Sequence, residues 1–468
     1  MSAEFTLVGT SLRERTTEAT RDERLQASLA RAIRHFARGR EAAFATLDDG
    51  DALRRAARRM RHEILADLPN VLERFADRFR ANGGHVHWAV DATDANAYIA
   101  EVARRIGART VVKGKSMATE ETGLNRALEE AGCTVVETDL GEWIIQLAQQ
   151  TPSHIIAPAV HLDRYQVRDI LETQAEPGRK LDTEPERLAA FAREQLRSRF
   201  LAADLGVSGC NVAVAETGSI VLVENEGNGR LCTTVPRVHI AVMGMERIVA
   251  TWDQLDLLIN LLARAGTGQH LSTYTNIITG ARRVDEADGP DEVHVVILDN
   301  GRSDVLGTEL HEILNCIRCG ACLNVCPVYR QVGGHAYGWV YSGPVGAVLT
   351  PLLARREAEA AELANASTLC GACMDACPVS IPIQDLLLSL RRRKAADAGA
   401  AERAGWRAWA AAWSRPLTYR ASIKAASLGR PLSRHAAMAP GLRGWAQGRT
   451  PPTPAERSFM QRWKAGEL

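Results

Sequence analysis

The chain has 468 residues, too many for one ordinary core, so two or three domains are expected. Its 57 basic and 56 acidic side chains leave a net charge of +1, which excludes the basic footprint of a nucleic-acid binder. Hydrophobic residues make up 46%, as in soluble globular proteins. There is no apolar run of about 18 residues to cross a membrane and no apolar stretch near the start to act as a secretory signal, so the cytoplasm is expected.

Residues 1–84 form a helical region. The runs ERLQASLARAIRHFARGREAAF (from Glu23) and VLERFADRFRANGG (from Val71) space apolar residues at three and four, and Gly83 and Gly84 end the second. Residues 85–302 change texture to short β-branched runs separated by helices. A strand ends at Lys113, TEETGLNRALEEAG follows as one helix with Glu120 and Glu121 in its first turn, and CTVVETDLG is the next strand. That β-α-β unit implies a parallel sheet, to which SIVLVEN, VHIAVMG and EVHVVIL add strands and TWDQLDLLINLLARAG a helix. The fold class is therefore an open parallel-sheet α/β domain followed by a mostly helical domain over 303–395.

The remainder, 396–468, is a Trp-rich extension with Trp406, Trp409, Trp413, Trp445 and Trp463. The first three repeat at three and four, which predicts one buried helix face. A short basic run, Arg391 to Lys394, reads as a solvated helix end.

Seven of the ten cysteines lie between Cys316 and Cys377, a clustering that points to metal rather than disulfides in a cytosolic chain. Cys133, Cys210 and Cys232 are scattered and expected to be small buried hydrophobes. NCIRCGACLNVCPVYR is C-x2-C-x2-C-x3-C-P, and STLCGACMDACPVS copies it with Ser367 in the first place. Thiolates suit iron, and in two-cluster proteins the fourth cysteine of each motif serves the other cluster. Cys316, Cys319 and Cys322 would then share one 4Fe-4S cluster with Cys377, while Cys326 joins Cys370 and Cys373 at a second. Three cysteines leave that second site two options. It takes a 3Fe-4S cluster, or a 4Fe-4S cluster whose last iron meets Ser367, water or a substrate atom. Zinc needs four ligands around each metal, usually from paired C-x2-C units, and the C-x2-C-x2-C-x3-C-P spacing argues against it.

Between the motifs, Gly333, Gly334, Gly338, Gly343 and Gly346 either bring backbone amides towards cluster sulfurs or simply link helices, and His335 is expected to be a surface or hydrogen-bonding histidine rather than an iron ligand. In the α/β domain, Lys113 and Lys115 are two of only six lysines and follow a strand end, where open sheets bind ligands. A second candidate is the turn Glu216, Thr217, Gly218, Ser219. Each stretch also has a purely structural reading as a tight turn. Together with Glu137, Asp139, Glu142, His154 and His161 they suggest one polar cleft. No G-x-G-x-x-G or P-loop is present, so no nucleotide site is expected.

VVKGKSMATEETGLNRALEEAGCTVVETDLGEWIIQL, PSHIIAPAVH, AETGSIVLVENEGN, CIRCGACLNVCPVYRQVGGHAYGWVYSGPVGAVLTPLL and LCGACMDACPVSIPI together resemble the lactate utilisation protein B family. The resemblance covers nearly the whole chain. It implies an α/β domain similar to the ribose-isomerase and coenzyme A transferase superfamily, a helical ferredoxin-type domain, and cluster ligation by the same seven cysteines. It also implies two partners encoded beside this protein: a cysteine-rich protein similar to heterodisulfide reductase subunits, and a shorter α/β protein. The function expected is electron transfer in a complex oxidising L-lactate to pyruvate. The alternative is an independent enzyme with a coenzyme A transferase-like or isomerase-like site and regulatory clusters. A transferase would need a glutamate nucleophile, for which Glu216 comes closest although its neighbours do not match that family's glycine pattern.

Overall fold

A computed structural model describes residues 10–354, 360–397, 399–431 and 453–467, so Trp445 lies outside the described residues. Residues 1–392 form one compact unit and residues 393–468 another.

Among the described residues, the first unit holds ten strands: β1 His85–Ala89, β2 Thr110–Lys113, β3 Thr134–Glu137, β4 Leu205–Gly209, β5 Val212–Val214, β6 Ser219–Glu224, β7 Val238–Gly244, β8 Ile248–Val249, β9 Tyr274–Ile278 and β10 Glu292–Leu298. Six of them make a sheet in the order β1-β10-β7-β4-β2-β3, with every neighbouring pair parallel. The central strands are buried on both faces, which is why VHIAVMG and EVHVVIL read as near-continuous apolar runs. The SIVLVEN run, β6, belongs instead to a second, four-stranded sheet ordered β8-β5-β6-β9. The helix expected between β2 and β3 is two, Met117–Thr122 and Leu124–Glu130, broken at Gly123.

Alternation along β10 divides the core. Val296 and Leu298 face Ile99, Val102 and Leu128 on one side of the sheet. Val295 and Ile297 join a larger core on the other side. That larger core also contains Leu29, Ile33, Met60, Ile64, Phe75 and Phe79 from the amino-terminal helices, and Leu314, Leu323, Tyr329 and Leu349 from the cysteine-rich segment. Each such side chain withdrawn from water contributes about 1.5–3 kcal/mol. The amino-terminal helices therefore pack against both the α/β sheet and the cysteine-rich segment. Cys133, Cys210 and Cys232 are buried as expected.

In the second unit, the buried tryptophan face expected from spacing is not found. Trp406, Trp409 and Trp413 are 62%, 53% and 50% exposed. The helices Ala400–Trp413 and Pro416–Leu428 bury no residue, so among the described residues no second layer covers the aromatic ridge. Its rings pack on one another and on Tyr419 instead. Among the described residues, no helix is long and apolar enough to cross a membrane.

Candidate functional site

The two cysteine motifs share one local backbone. Arg318 and Leu369, each just before a cysteine, have left-handed φ of 58° and 55°. Gly320 and Gly371 follow at 76° and 84° and open the short helices Ala321–Val325 and Ala372–Ala376. This path turns amides towards side-chain sulfur. Arg318 N donates to Cys316 Sγ at 3.4 Å, Tyr329 N to Cys326 Sγ at 3.4 Å, and Ile381 N to Cys377 Sγ at 3.4 Å. Ser367 keeps the pattern with oxygen, since its Oγ accepts from Leu369 N at 3.1 Å.

The thiols fall into two neighbouring groups. Cys319 interacts with Cys377 and Cys316, whereas Cys373 interacts with Cys326 and Cys370. Cys322 feels Cys316, Cys319 and Cys377, and also Cys373 across the gap. Burial pushes the Cys322 thiol well up, Cys373 up to about 12 and Cys377 up to about 11. Such thiols keep their protons unless a cationic centre replaces them, and an iron-sulfur core is a centre of that kind. The donor set fits it: soft sulfur, close grouping, and amides already aimed at sulfur. Cys370 differs from the rest. It is exposed, and the backbone amide of Ala372 holds its thiol below the ordinary range.

Arginines from distant parts of the chain surround the first group. Arg40 Nε donates to Ala376 O at 3.1 Å, and Arg54 donates to Cys377 O at 2.9 Å and Met374 O at 3.1 Å. Buried Arg61 reaches Leu314 O at 3.2 Å, and Arg247 reaches Cys316 O at 3.1 Å. Each bond from a charged donor contributes about 1.5–3 kcal/mol. Sequence reasoning missed this collar. The available signal was basic residues at 54, 58 and 61, on the helix Gly50–Ala66, at the spacing of its apolar stripe. Arg391, read as part of a solvated helix end, donates to Ala364 O and Ser367 O and ties the second motif down.

A cavity of about 270 Å³ lies at the carboxyl ends of β2, β4 and β7, where Gly114–Lys115, Ser208–Gly209 and Val242–Gly244 meet. Its far wall is formed by Arg318, Cys319 and Tyr341, so it joins the α/β sheet to the first thiol group. A buried chain of charges braces that junction. Arg302 grips Glu121 with two bonds of 2.8 Å and Glu246 at 2.7 Å, Arg318 meets Glu246 at 3.2 Å, and Tyr341 Oη donates to Glu121 at 2.7 Å.

The expected polar cleft divides. Lys115 lines the cavity, but Lys113 is fully buried and spent on Glu120 at 2.7 Å, Glu137 at 2.8 Å and Thr119. Glu137, Asp139, Glu142, His154 and His161 do not line it. Glu137 also accepts from Asn125, and Asp139 caps the helix Leu140–Leu147. His154 accepts from Ile156 N and Ala157 N at Nδ1, so its Nε2 donates to Asn324 Oδ1 at 3.1 Å. His161 donates to Gln150 and His335 to Thr151 O, both at 2.7 Å. Glu216, Thr217, Gly218 and Ser219 also lie away from the cavity, in the hairpin turn joining β5 and β6. Glu216 accepts from Trp252 N at 3.1 Å, and Ser219 is buried against Thr217 and Thr279. A carboxylate engaged with a helix amide outside the cavity is poorly placed to be a transferase nucleophile.

Comparison with known proteins agrees with this architecture. Residues 72–298 match the LUD domain, residues 312–381 a 4Fe-4S dicluster domain, and residues 389–467 the C-terminal region of lactate utilisation protein B. Lactate utilization protein B of Shouchella clausii is 48% identical over 426 residues, covering 90% of this chain and 89% of its own. Its counterpart in Oceanobacillus iheyensis is 44% identical over 460 residues, covering 97% and 96%. An uncharacterized electron transport protein of Escherichia coli, YkgF, is 46% identical over 383 residues, covering 82% and 80%. With identity of this level sustained across the α/β sheet, the cysteine motifs and the carboxyl-terminal unit, the chain belongs to the lactate utilisation protein B family.

Proposed function

We propose that this chain is the iron-sulfur electron carrier of a complex that oxidises L-lactate to pyruvate. Cys316, Cys319, Cys322 and Cys377 would hold one 4Fe-4S cluster, and Cys326, Cys370 and Cys373 a second, of 4Fe-4S or 3Fe-4S type. When bound, such clusters supply one-electron oxidation and reduction. The observation that carries this reading is the placement of the two thiol groups. The first is enclosed by arginines and forms a wall of the cavity through Cys319. The second adjoins it and opens to the surface at Cys370. One end thus meets a ligand cavity and the other meets solvent, the arrangement a relay needs. Relatives named for lactate utilisation and for electron transport support the same reading.

Oxidising lactate removes two electrons and two protons, and no side chain of the cavity is an evident hydride acceptor. The partners required are the two proteins expected beside this one, one cysteine-rich and one a shorter α/β chain. The test is turnover. Cluster-loaded protein alone, given L-lactate and an artificial acceptor, should form no pyruvate. Adding both partners should restore it, and Cys316→Ala should abolish it while the complex still assembles. Oxidation by the isolated chain at the rate of the complex would overturn the proposal.

A further inference from the structure

The cavity beside Cys319 contains two cations with unused donors. Lys115 Nζ is buried and makes no hydrogen bond, and the same is true of Arg318 Nη1. Both residues line the cavity. Lys113, only two positions away, shows what this fold does with a structural lysine: it gives it two carboxylates. Lys115 has none. Glu142 and Glu226 lie within reach of its field without pairing to it. Burial raises both carboxyls, Glu142 well above the ordinary range and Glu226 to about 7, which weakens them as counter-ions.

The charges facing the space point the same way. Lys115, Arg247, Arg302 and Arg318 stand against two carboxylates, Glu224 and Glu246. Glu246 is shared between Arg302 and Arg318. Glu224 accepts from the amides of Gly229 and Arg230 and from Asn276, so it is satisfied without a lysine. A buried ammonium without a partner is costly, and an anion relieves that cost. The remaining wall includes Ile155, Ile156, Met243 and Leu262, which suits a short aliphatic body. The volume holds roughly nine waters at about 30 Å³ each, ample for a three- or four-carbon acid. The place is also the one where open α/β sheets bind ligands, beyond the carboxyl ends of their strands.

We propose that this cavity binds a short organic carboxylate, with Lys115 and Arg318 as the cationic donors to its carboxylate group, against the wall formed by Cys319. The need for an anion follows from the unpartnered donors. The choice of a 2-hydroxy or 2-oxo acid rests on the electron-carrier reading above.

Binding is measured without partners and without turnover. Anaerobic, cluster-loaded full-length protein is titrated calorimetrically with L-lactate, with pyruvate and with inorganic phosphate. Saturable one-to-one binding of an acid is expected, weakened about tenfold or more in Lys115→Met and retained within a few-fold in Lys115→Arg. As a second measurement, the acid that binds should raise the thermal midpoint of the wild-type chain and leave that of Lys115→Met unchanged. Absence of heat from either acid at millimolar concentration, equal affinity in Lys115→Met, or an equal rise in midpoint in the two proteins overturns the assignment. Phosphate binding more tightly than both acids also overturns it, in favour of a phosphate-ester site. Acid binding that persists while partner-supported lactate oxidation fails supports the cavity and sinks only the electron-carrier reading.

Discussion

Ser367 occupies the place in the second motif that Cys316 occupies in the first, and its Oγ accepts the Leu369 amide as the Cys316 sulfur accepts that of Arg318. The hydroxyl already has a backbone donor, and oxygen suits iron less well than sulfur. Three thiolates hold a fourth iron weakly, and here Cys370 is exposed. Mild oxidation should therefore convert a 4Fe-4S to a 3Fe-4S signal first at this site, followed by electron paramagnetic resonance. Ser367→Cys should slow that conversion. Loss of the cluster in Ser367→Ala would instead make the serine a true ligand.

The grouping of thiols predicts crossed effects of single substitutions. Cys377→Ala should damage the cluster shared with Cys316, Cys319 and Cys322, although Cys377 belongs to the second motif. Cys326→Ala should damage the other. Iron content and the two resonance signals separate these outcomes, and loss of the same signal in both variants would refute the crossing.

Lys113 and Lys115 should behave oppositely. Replacing Lys113 with Met leaves Glu120 and Glu137 facing each other without their shared cation. Breaking such a buried pair costs about 3–5 kcal/mol. Denaturant midpoints should therefore fall sharply for Lys113→Met, while Lys115→Met, which removes no ion pair, should match or exceed wild-type stability. Equal losses in the two variants would mean that the burial of Lys113 is not its main role.

His239, on β7, is fully buried, and its Nε2 donates to Ser208 Oγ at 2.8 Å, the hydroxyl itself donating to Gly209 O. Burial lowers its pKa from 6.5 to about 3. The unfolded chain takes up a proton below pH 6.5 and the folded chain resists it. This contribution to stability is thus intact above pH 6.5 and lost as pH falls from 6.5 towards 3. At pH 5.5 the loss is on the order of 1 kcal/mol. His154 and His161, at about 3, and His294, at about 4, act in the same direction. Between pH 7.5 and 5.5, His239→Gln should therefore show a shallower fall in urea midpoint than wild type. An unchanged slope would show that the imidazole is not held neutral by burial.

The spacing of Cys316 to Cys326 and its copy was legible in the sequence because ligand geometry is local: one short turn of chain fixes three sulfurs. The strands β2, β3, β7 and β10 were legible because buried parallel strands are runs of apolar residues. β4, at the centre of the sheet, was not, because LGVSG carries two glycines and little β-propensity. Packing explains one of them, since a Cβ at Gly206 would meet the Cys232 carbonyl at 1.9 Å. β1 was missed because HVHWA, at the sheet edge, has an exposed face and no apolar run. The arginine collar and the division of labour between Lys113 and Lys115 depend on partners scattered through the fold, which no local pattern reports. The tryptophan spacing misled for the converse reason: periodicity marks a face but cannot say whether anything covers it.

Arg40 and Ala376 are 336 positions apart, and Arg54 and Cys377 are 323 apart. A ribosome delivers Arg40 and Arg54 long before the carbonyls they bond. Through that interval neither guanidinium has those carbonyls to bond, and Cys377 is not yet available to Cys316, Cys319 and Cys322. On the proposed ligation, loading of the first cluster would wait for Cys377, which is made after the sheet that borders the cavity.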